Sequence, residues 1–434
     1  MEGFYLKAAF YTLGCKVNQY DTQMMVDKLK SAGYEICEFS DNADIYIINT
    51  CTVTSVSDKK SRQIISRARR NNKNAIILVC GCLCQVSHEK VKELEGVDIV
   101  LGTDNRANLL DYINQYLSTP KQIVDIGEYK KSDISNEQIK NFTHKSRAIL
   151  KIEDGCENFC SYCIIPYSRG RIVSKPVEKI VSEANLLAEN GYKELVLTGI
   201  HLSSYGNDLD FTVDLCDAID AVSNINSILR VRLGSLEPRI ITEKFIKRIS
   251  ANQKLCPSFH LSLQSGSDKI LQSMNRKYTC NQYLNAVKLL RKAFNTCSIT
   301  TDVIVGFPGE SEQDFLETCD FVKKVGFSKI HIFPYSARAG TKAANLNNQV
   351  NQNIKAERVK RLEEIEKQMR HDFYKSQLLS LNEVLIEEFK QGLLYGYTKN
   401  YIKVELEGSA NKCGSILPVK LIKIESDHMV AKEI

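Results

Sequence analysis

The 434-residue sequence has no uninterrupted apolar span long enough to cross a membrane. Its first residues, Met1-Glu2-Gly3-Phe4-Tyr5-Leu6-Lys7, lack the basic region and long apolar core of a secretion signal, so a cytoplasmic protein without a membrane partner is expected. Charge bias is missing too: a formal net charge of +6 permits a polyanionic partner without requiring one. In the absence of a secretion signal, fifteen cysteines are not read as a disulfide framework, and an odd count argues the same way. Metal or redox chemistry is the better expectation. Hydrophobic residues at 43% and charged residues at 25% are ordinary for a globular chain, and the length favours two or three domains.

Three of the cysteines stand close together. Cys156-Glu157-Asn158-Phe159-Cys160-Ser161-Tyr162-Cys163 follows the strand-like run Ala148–Ile152, so a strand delivers a loop that can aim three thiolates at one centre. A four-iron cube is normally held by four cysteines, and three leave one iron open to bind a small molecule and pass it an electron. Zinc with three protein ligands and water is the rival, although no second Cys-x-x-Cys pair follows. Three buried or paired thiols remain the bland alternative.

Up to about residue 120, apolar runs alternate with helical stretches: Ala8–Leu13, Ile45–Ile48, Ala75–Val79 and Asp98–Leu101. Continuous apolar strands alternating with helices imply a parallel sheet covered on both faces. Three of these runs end in cysteine, as Leu13-Gly14-Cys15, Asn49-Thr50-Cys51 and Cys80-Gly81-Cys82. Ligands of open α/β sheets gather outside the carboxyl strand ends, so Cys15, Cys51 and Cys82 form a candidate second three-cysteine site. Small residues in tight turns are the alternative. Cys82 is preferred over Cys80 and Cys84 because it follows a glycine that lets the backbone turn.

Residues 121–145 are polar and aperiodic, with Lys130-Lys131-Ser132-Asp133, and read as a linker or irregular hairpin. From 146 the alternation restarts with six βα units, a partial parallel barrel. Polar residues at its strand ends are Thr198-Gly199, His201, Ser235, Glu237, Gln264-Ser265-Gly266, Asp302 and Pro334-Tyr335-Ser336. Individually each is ordinary turn chemistry; as a set they are candidates to line a pocket. A charged segment from Asn353 to about Gln377 reads as a solvated linking helix, and short strands broken by Gly392, Gly396, Gly408 and Gly414 indicate a small all-β module. Lys390, Tyr395, Tyr397, Lys399, Tyr401 and Lys403 interleave there, a pattern that suits a nucleic-acid backbone with stacked bases and suits sheet-core tyrosines equally.

The Cys-x-x-x-Cys-x-x-Cys loop resembles the signature of radical S-adenosylmethionine (SAM) enzymes. With Thr12-Leu13-Gly14-Cys15-Lys16-Val17-Asn18-Gln19-Tyr20-Asp21, Asn49-Thr50-Cys51-Thr52-Val53 and Gly81-Cys82-Leu83-Cys84-Gln85, nearly the whole chain resembles the radical-SAM methylthiotransferases. The first motif is most similar to the branch acting on threonylcarbamoyladenosine in tRNA. Other branches act on isopentenyladenosine or on a ribosomal-protein aspartate. Cys84 departs from the pattern, which usually has alanine there.

The resemblance implies domains at 1–120 (auxiliary cluster), 146–370 (radical SAM) and 371–434 (TRAM, RNA-binding), with 121–145 as linker. It implies two [4Fe-4S] clusters, one on Cys156, Cys160 and Cys163 that cleaves SAM and one on Cys15, Cys51 and Cys82 that carries the sulfur. SAM is expected against Tyr162, Thr198, Gly199, Ser235, Glu237 and Gln264. The partners implied are the tRNA anticodon loop and an electron donor such as a flavodoxin or ferredoxin. Lys59, Lys60, Arg62, Arg67, Arg69, Arg70 and Lys73 follow Cys51 and are candidate phosphate contacts. A non-catalytic metal-containing RNA-binding protein is the alternative of another class.

Overall fold

Within Ile45–Ile48, successive side chains must point to opposite faces of a strand, and here both faces are apolar. In the computed structural model, which describes residues 6–53, 55–127, 134–142, 146–209 and 212–434, that run lies at the centre of a six-stranded parallel sheet. Lys130, Lys131, Ser132 and Asp133 lie outside the described residues. The chain divides into two compact units, Met1–Thr143 with Lys151–Lys179 and Ser336–Ala344, and His144–Leu150 with Ile180–Tyr335 and Asn345–Ile434.

The first unit runs β1 (Lys7–Thr12), α1 (Lys16–Ser31), β2 (Glu35–Cys37), β3 (Ile45–Thr50), α2 (Ser55–Asn71), β4 (Ile76–Gly81), α3 (Cys82–Lys92), β5 (Ile99–Leu101), α4 (Leu109–Ser118) and β6 (Ile123–Asp125). Strand order is β2-β1-β3-β4-β5-β6. Tyr46, Ile48, Ile77 and Val79 pack against Ile64, Ile65 and Ala68 of α2 and Leu83 and Val91 of α3. Ile45, Ile47, Ile76 and Leu78 pack against Met25 and Leu29 of α1 and Leu109 and Ile113 of α4. Burying each such side chain contributes roughly 1.5–3 kcal/mol, which fixes the register of the strands and therefore of their ends. Order reverses between β1 and β3, the switch point at which the following loops diverge and leave a crevice. The edge strand β6 falls inside the stretch read from sequence as linker.

The chain then forms β7 (Arg147–Lys151), β8 (Glu153–Asp154), the short helix α5 (Ile165–Arg169) and β9 (Val173–Ser174), with β8 and β9 paired antiparallel. Residues 151–179 pack with the first unit, although the sequence groups them with the later βα units.

In the second unit come α6 (Val177–Glu189), whose first turn still belongs to the first unit, β10 (Glu194–Thr198), α7 (Leu215–Ser223), β11 (Arg230–Leu233), β12 (Ser235–Leu236), α8 (Glu243–Ser250) and β13 (Ser258–Leu261). They continue into α9 (Asp268–Ser273), α10 (Cys280–Ala293), β14 (Ser298–Val305), α11 (Glu312–Val325), β15 (Lys329–Pro334) and α12 (Gln352–Gln377). Only Gly234 separates β11 from β12, so the two sheets β11-β10-β7 and β12-β13-β14-β15 share one strand line. The result is the expected series of six strand lines, parallel from β10 to β15 and connected through helices, with α12 following the last strand.

Helix α12 is not the solvated linker that its charge suggests. Lys355, Arg358, Leu362, Glu366 and Met369 are buried along one face. Arg358 meets Glu310 at 2.6 Å, and the Lys355 stem lies against Gly306, where φ is +71° and a Cβ would come within 2.4 Å of it. Long charged side chains can cover apolar surface with their stems, which composition alone does not reveal.

The chain closes with a five-stranded barrel, β16 (Leu381–Lys390), β17 (Leu393–Thr398), β18 (Lys403–Glu407), β19 (Ile416–Ile424) and β20 (Met429–Glu433), in the order β16-β17-β18-β20-β19. Gly396, read from sequence as a break between strands, lies inside β17. Gly396 is required there, since a Cβ would lie 2.2 Å from the Leu385 carbonyl oxygen. Tyr397 and Tyr401 stack at 4.7 Å, with the Arg147 guanidinium 4.9 and 5.0 Å from their rings and Arg232 4.6 Å from Tyr401. Lys390, Lys399 and Lys403 pair with Glu388, Glu383 and Asp427. The lysine pairs lie within the barrel, whereas the arginine–tyrosine stacks anchor it to the parallel sheet of the same unit.

Glu194 is the centre of that anchor. It is 1% exposed, accepts from Arg232 at 2.7 Å, and lies 3.7 Å from Arg230 and 3.8 Å from Arg147. Arg230 and Arg232 in turn donate to the carbonyls of Glu383, Tyr397, Thr398 and Lys399. Burial pushes the Glu194 carboxyl up, but the arginines outweigh it and hold it below its usual range. This stabilisation is present above the unfolded-chain value, roughly 4.3, and is lost as pH falls through the lower folded value. Glu194→Gln removes the carboxylate that Arg232 pairs with and one of those of Arg147 and Arg230, which keep Glu387 and Glu383, and should destabilise the second unit by about 3–5 kcal/mol in urea unfolding at neutral pH.

Candidate metal centres

Cys15 follows β1, Cys51 follows β3 and Cys82 follows β4, three neighbouring strands of the first sheet. Gly14 has φ +103°, and a Cβ there would lie 2.8 Å from the Cys51 Cβ and 3.0 Å from its Sγ. The turn after β1 thus carries Cys15 directly past Cys51. Gly81 has φ +96°, with the Asn49 side-chain oxygen 2.5 Å from the position of a Cβ. Cys15 is the N-cap of α1 and Cys82 is the first residue of α3, so two helix N-termini direct their positive ends at this edge. Cys51 is 6% and Cys82 3% exposed, while Cys15 stands open. Burial, and then the nearby charges of Cys82 and Cys15, push the Cys51 thiol up to about 11.

The remaining cysteines of that region have packing roles. Cys84 lies in the core layer with Leu83 and Val91, 3.9 Å from the Thr50 hydroxyl. Cys80 lies in the opposite layer, 4.0 Å from the Met25 sulfur. None of the fifteen cysteines is joined in a disulfide.

The sequence reading missed the charged frame around this edge. Asn18 donates to the carbonyls of Leu13 and Thr50 at 2.7 and 3.0 Å, bracing the turns that carry Cys15 and Cys51. Its own oxygen accepts from Arg169. Asp21, fully buried, pairs with Arg106, Lys151 and Arg169 at 3.0, 2.9 and 3.1 Å. Both Asn18 and Asp21 follow Cys15 in one motif, three and six residues on. Spacing of one helical turn was the available signal.

The second cysteine loop emerges from the β8 end. Gly155 has φ +86° and its missing Cβ would fall 1.9 Å from the Arg171 carbonyl oxygen, so only glycine admits the return of the chain. The Cys156 N–H donates to the Gly170 carbonyl at 3.1 Å and the Cys163 N–H to the Cys160 carbonyl at 2.9 Å. Cys160 is 9% exposed and Cys156 half-buried. Burial, with the charges of Cys163 and Cys160 acting against a favourable backbone hydrogen bond from Asn158, pushes the Cys156 thiol up to about 12. Tyr162 lies between the last two cysteines, part-exposed. Phe159 is 44% exposed and meets Tyr167 edge-on at 5.8 Å.

In the second unit, Thr198 is buried at the end of β10, beside Gly234 and followed by Gly199. Ser235 is exposed and shares a hydrogen bond with Ser262 at 3.0 Å. Glu237 is engaged by His201 at 3.1 Å and Arg239 at 2.6 Å; burial raises its carboxyl, but these partners hold it at about 2. Gln264 has φ +71° and exchanges backbone hydrogen bonds with Asp302 and Ile304. Gly266 packs against Thr318, whose Cα would lie 2.7 Å from a Cβ, and Tyr335 is buried under the Lys355 ammonium. His260 of β13, whose Nδ1 meets the Thr300 hydroxyl and whose Nε2 faces Asp302 of β14 at 3.4 Å, stands close to His331 of β15. These two histidines were not singled out from sequence.

Among the exposed cations of α2 and its end are Lys59, Lys60, Arg62, Arg67, Arg70 and Lys73. Arg69 is different: it turns inward to the carbonyls of Lys73, Ala75 and Gly96 and to Asp98 at 2.8 Å, which removes it from the phosphate-contact set.

Residues 7–102 match the Uncharacterized protein family UPF0004, and residues 150–322 match the Radical SAM superfamily. The threonylcarbamoyladenosine tRNA methylthiotransferase MtaB of Bacillus subtilis (strain 168) is 41% identical over 423 residues, 96% of this chain and 93% of that protein. The chain belongs to the radical-SAM methylthiotransferase family. The corresponding protein of Aquifex aeolicus is 42% identical over 405 residues, 93% of this chain and 97% of that one. A tRNA-2-methylthio-N(6)-dimethylallyladenosine synthase of Pelotomaculum thermopropionicum is 33% identical over 432 residues, 98% and 96% of the two chains. Among solved structures, the radical S-adenosylmethionine methyltransferase TsrM of Kitasatospora setae aligns with TM-score 0.58 at 14% identity, covering 79% of this chain and 77% of that one, a likeness of fold.

In this methylthiotransferase the first cysteine edge depends on backbone that only glycine adopts freely. Gly14→Ala forces a positive φ on a residue with a Cβ and drives it into Cys51. It should lower stability by more than about 1 kcal/mol in thermal unfolding, whereas Gly191→Ala, whose Cβ meets nothing, should lose only the backbone-strain part of that effect.

Proposed function

We propose that the chain is a tRNA methylthiotransferase that places a methylthio group on carbon-2 of threonylcarbamoyladenosine beside the anticodon, using two [4Fe-4S] clusters and SAM. The observation that carries this reading is the presence in one compact unit of two separate three-cysteine sets, each built by backbone that brings its thiols together. The donor sets fit iron–sulfur clusters: three thiols leave one iron open in each, and helix N-termini at Cys15 and Cys82 favour the anionic ligand form. Cys156, Cys160 and Cys163 would hold the cluster that cleaves SAM, and Cys15, Cys51 and Cys82 the auxiliary one. When bound, these groups supply a 5′-deoxyadenosyl radical and the sulfur to be methylated and transferred, chemistry that no side chain performs on an unactivated C–H bond.

The chain's own residues bind and orient. Within the second unit, Thr198, Gly199, Glu237 and Gln264, which follow or end strands, and Ser235, where β11 passes into β12, are the proposed SAM contacts. Of these, Glu237 is ionised and already directed by His201 and Arg239, so it can accept from a cationic ligand group. The exposed cations on and after α2 follow Cys51, where the phosphates flanking the target base would pass. A flavodoxin or ferredoxin is the expected electron donor, and the cytoplasm the expected compartment.

Threonylcarbamoyladenosine is favoured over isopentenyladenosine as substrate by the higher identity to the MtaB proteins, 37–42% against 33–36%. A direct test offers the purified enzyme tRNA carrying either nucleoside: methylthiolation only of the threonylcarbamoyl form supports the reading, and activity only on the isopentenyl form overturns it. Replacing Cys156, Cys160 and Cys163 by alanine should abolish SAM cleavage. Replacing Cys15, Cys51 and Cys82 should spare cleavage and stop methylthiolation, while Cys84→Ala should retain both.

Binding should also be salt-dependent. Each phosphate neutralised adds roughly −0.7 to the slope of log K against log salt. Lys60→Glu with Arg67→Glu should flatten that slope by about one to two phosphates' worth without changing SAM cleavage; an unchanged slope in filter-binding measurements would remove α2 from the tRNA interface.

A further inference from the structure

Arg169 ends the short helix that follows the radical-SAM cysteines, yet its side chain is directed at the other set. Its Nε donates to the Cys82 sulfur at 3.3 Å. Its Nη1 donates to both Asp154 oxygens at 3.2 and 2.9 Å and lies 3.1 Å from Asp21, and its Nη2 donates to the Asn18 side-chain oxygen. The side chain is 1% exposed. Each edge of the planar fork is therefore fixed, and Nε is the donor left for sulfur. Asn18, fixed in its turn, holds the Leu13 and Thr50 carbonyls that precede Cys15 and Cys51. One guanidinium thus touches the third cysteine and, through one amide, braces the other two.

We propose that Arg169 is a positioning residue for the auxiliary centre, which sets the Cys82 sulfur in place and raises the reduction potential of the cluster held there. The inference rests on the reading that Cys15, Cys51 and Cys82 hold a cluster. A hydrogen bond from a cation withdraws electron density from a ligand sulfur and stabilises the reduced, more negative cluster. Burial strengthens the effect, because no water screens the charge. The same contact makes the auxiliary edge complete only when the neighbouring cysteine loop and α5 are folded, since they deliver Arg169.

The test uses full-length protein with Cys156, Cys160 and Cys163 replaced by alanine, so that only the auxiliary cluster is present, grown with ¹⁵N-labelled arginine. Pulsed electron paramagnetic resonance of the reduced cluster should show a weak ¹⁵N coupling that Arg169→Lys abolishes. In redox titrations Arg169→Gln should shift the midpoint potential to more negative values, and Arg169→Lys by less. Absence of the ¹⁵N coupling in the otherwise unsubstituted protein, or an unshifted potential in an Arg169→Gln protein that retains four irons, overturns the inference. The coupling experiment decides it even where Arg169→Gln does not fold. A starting protein that binds no auxiliary iron overturns the two-cluster reading itself, a different result from an iron-loaded protein without coupling.

Discussion

Asp21 has no exposed surface, and a buried carboxylate is tolerated only where cations and hydrogen bonds replace water. Burial would raise its carboxyl, but Arg106, Lys151 and Arg169 outweigh that and hold it below the usual range. Those three cations come from the segment after β5, from the end of β7 and from α5, so one charge gathers parts of the chain distant in sequence. Asp154 and Glu137 complete the set, at 2.9 Å from Arg169 and close against Lys151 respectively. Through Lys151 and Arg169 this network ties the segment that carries the cysteine loop to the sheet of the first unit.

Much of the parallel architecture was legible because hydrophobic periodicity carries it. The runs at Ile45–Ile48 and Ala75–Val79 are apolar on both faces, which demands helices on both sides, and the glycines at Gly14 and Gly81 turn the chain at the ends of Ala8–Leu13 and Ala75–Val79. The preference for Cys82 among its neighbours also rested on Gly81; Cys80 and Cys84 pack in opposite core layers. What pattern could not show is where a charged side chain turns. Arg69 reads as a phosphate contact in the sequence and Arg169 carries no signal there, yet both are directed inward by partners distant in the chain, Gly96 and Asp98 for the one and Cys82 and Asn18 for the other.

The same limit explains the C-terminal barrel. Interleaved lysines and tyrosines around residue 400 were compatible with a nucleic-acid surface or with a sheet. Arg147 and Arg232, from strands far earlier in the chain, occupy the faces of Tyr397 and Tyr401, and acidic neighbours pair with the lysines. Stacking on arginine is the better use of those rings in this unit. The exposed cations of α2, not the tyrosines, are then the groups with free capacity for phosphate.

The central claim is that two three-cysteine sets hold two clusters. Iron and sulfide analysis of anaerobically purified protein tests it most directly: about eight irons and eight sulfides per chain are predicted, falling to about four when either set is replaced by alanine. Four irons in the intact protein, or zinc in place of iron at either set, would contradict it.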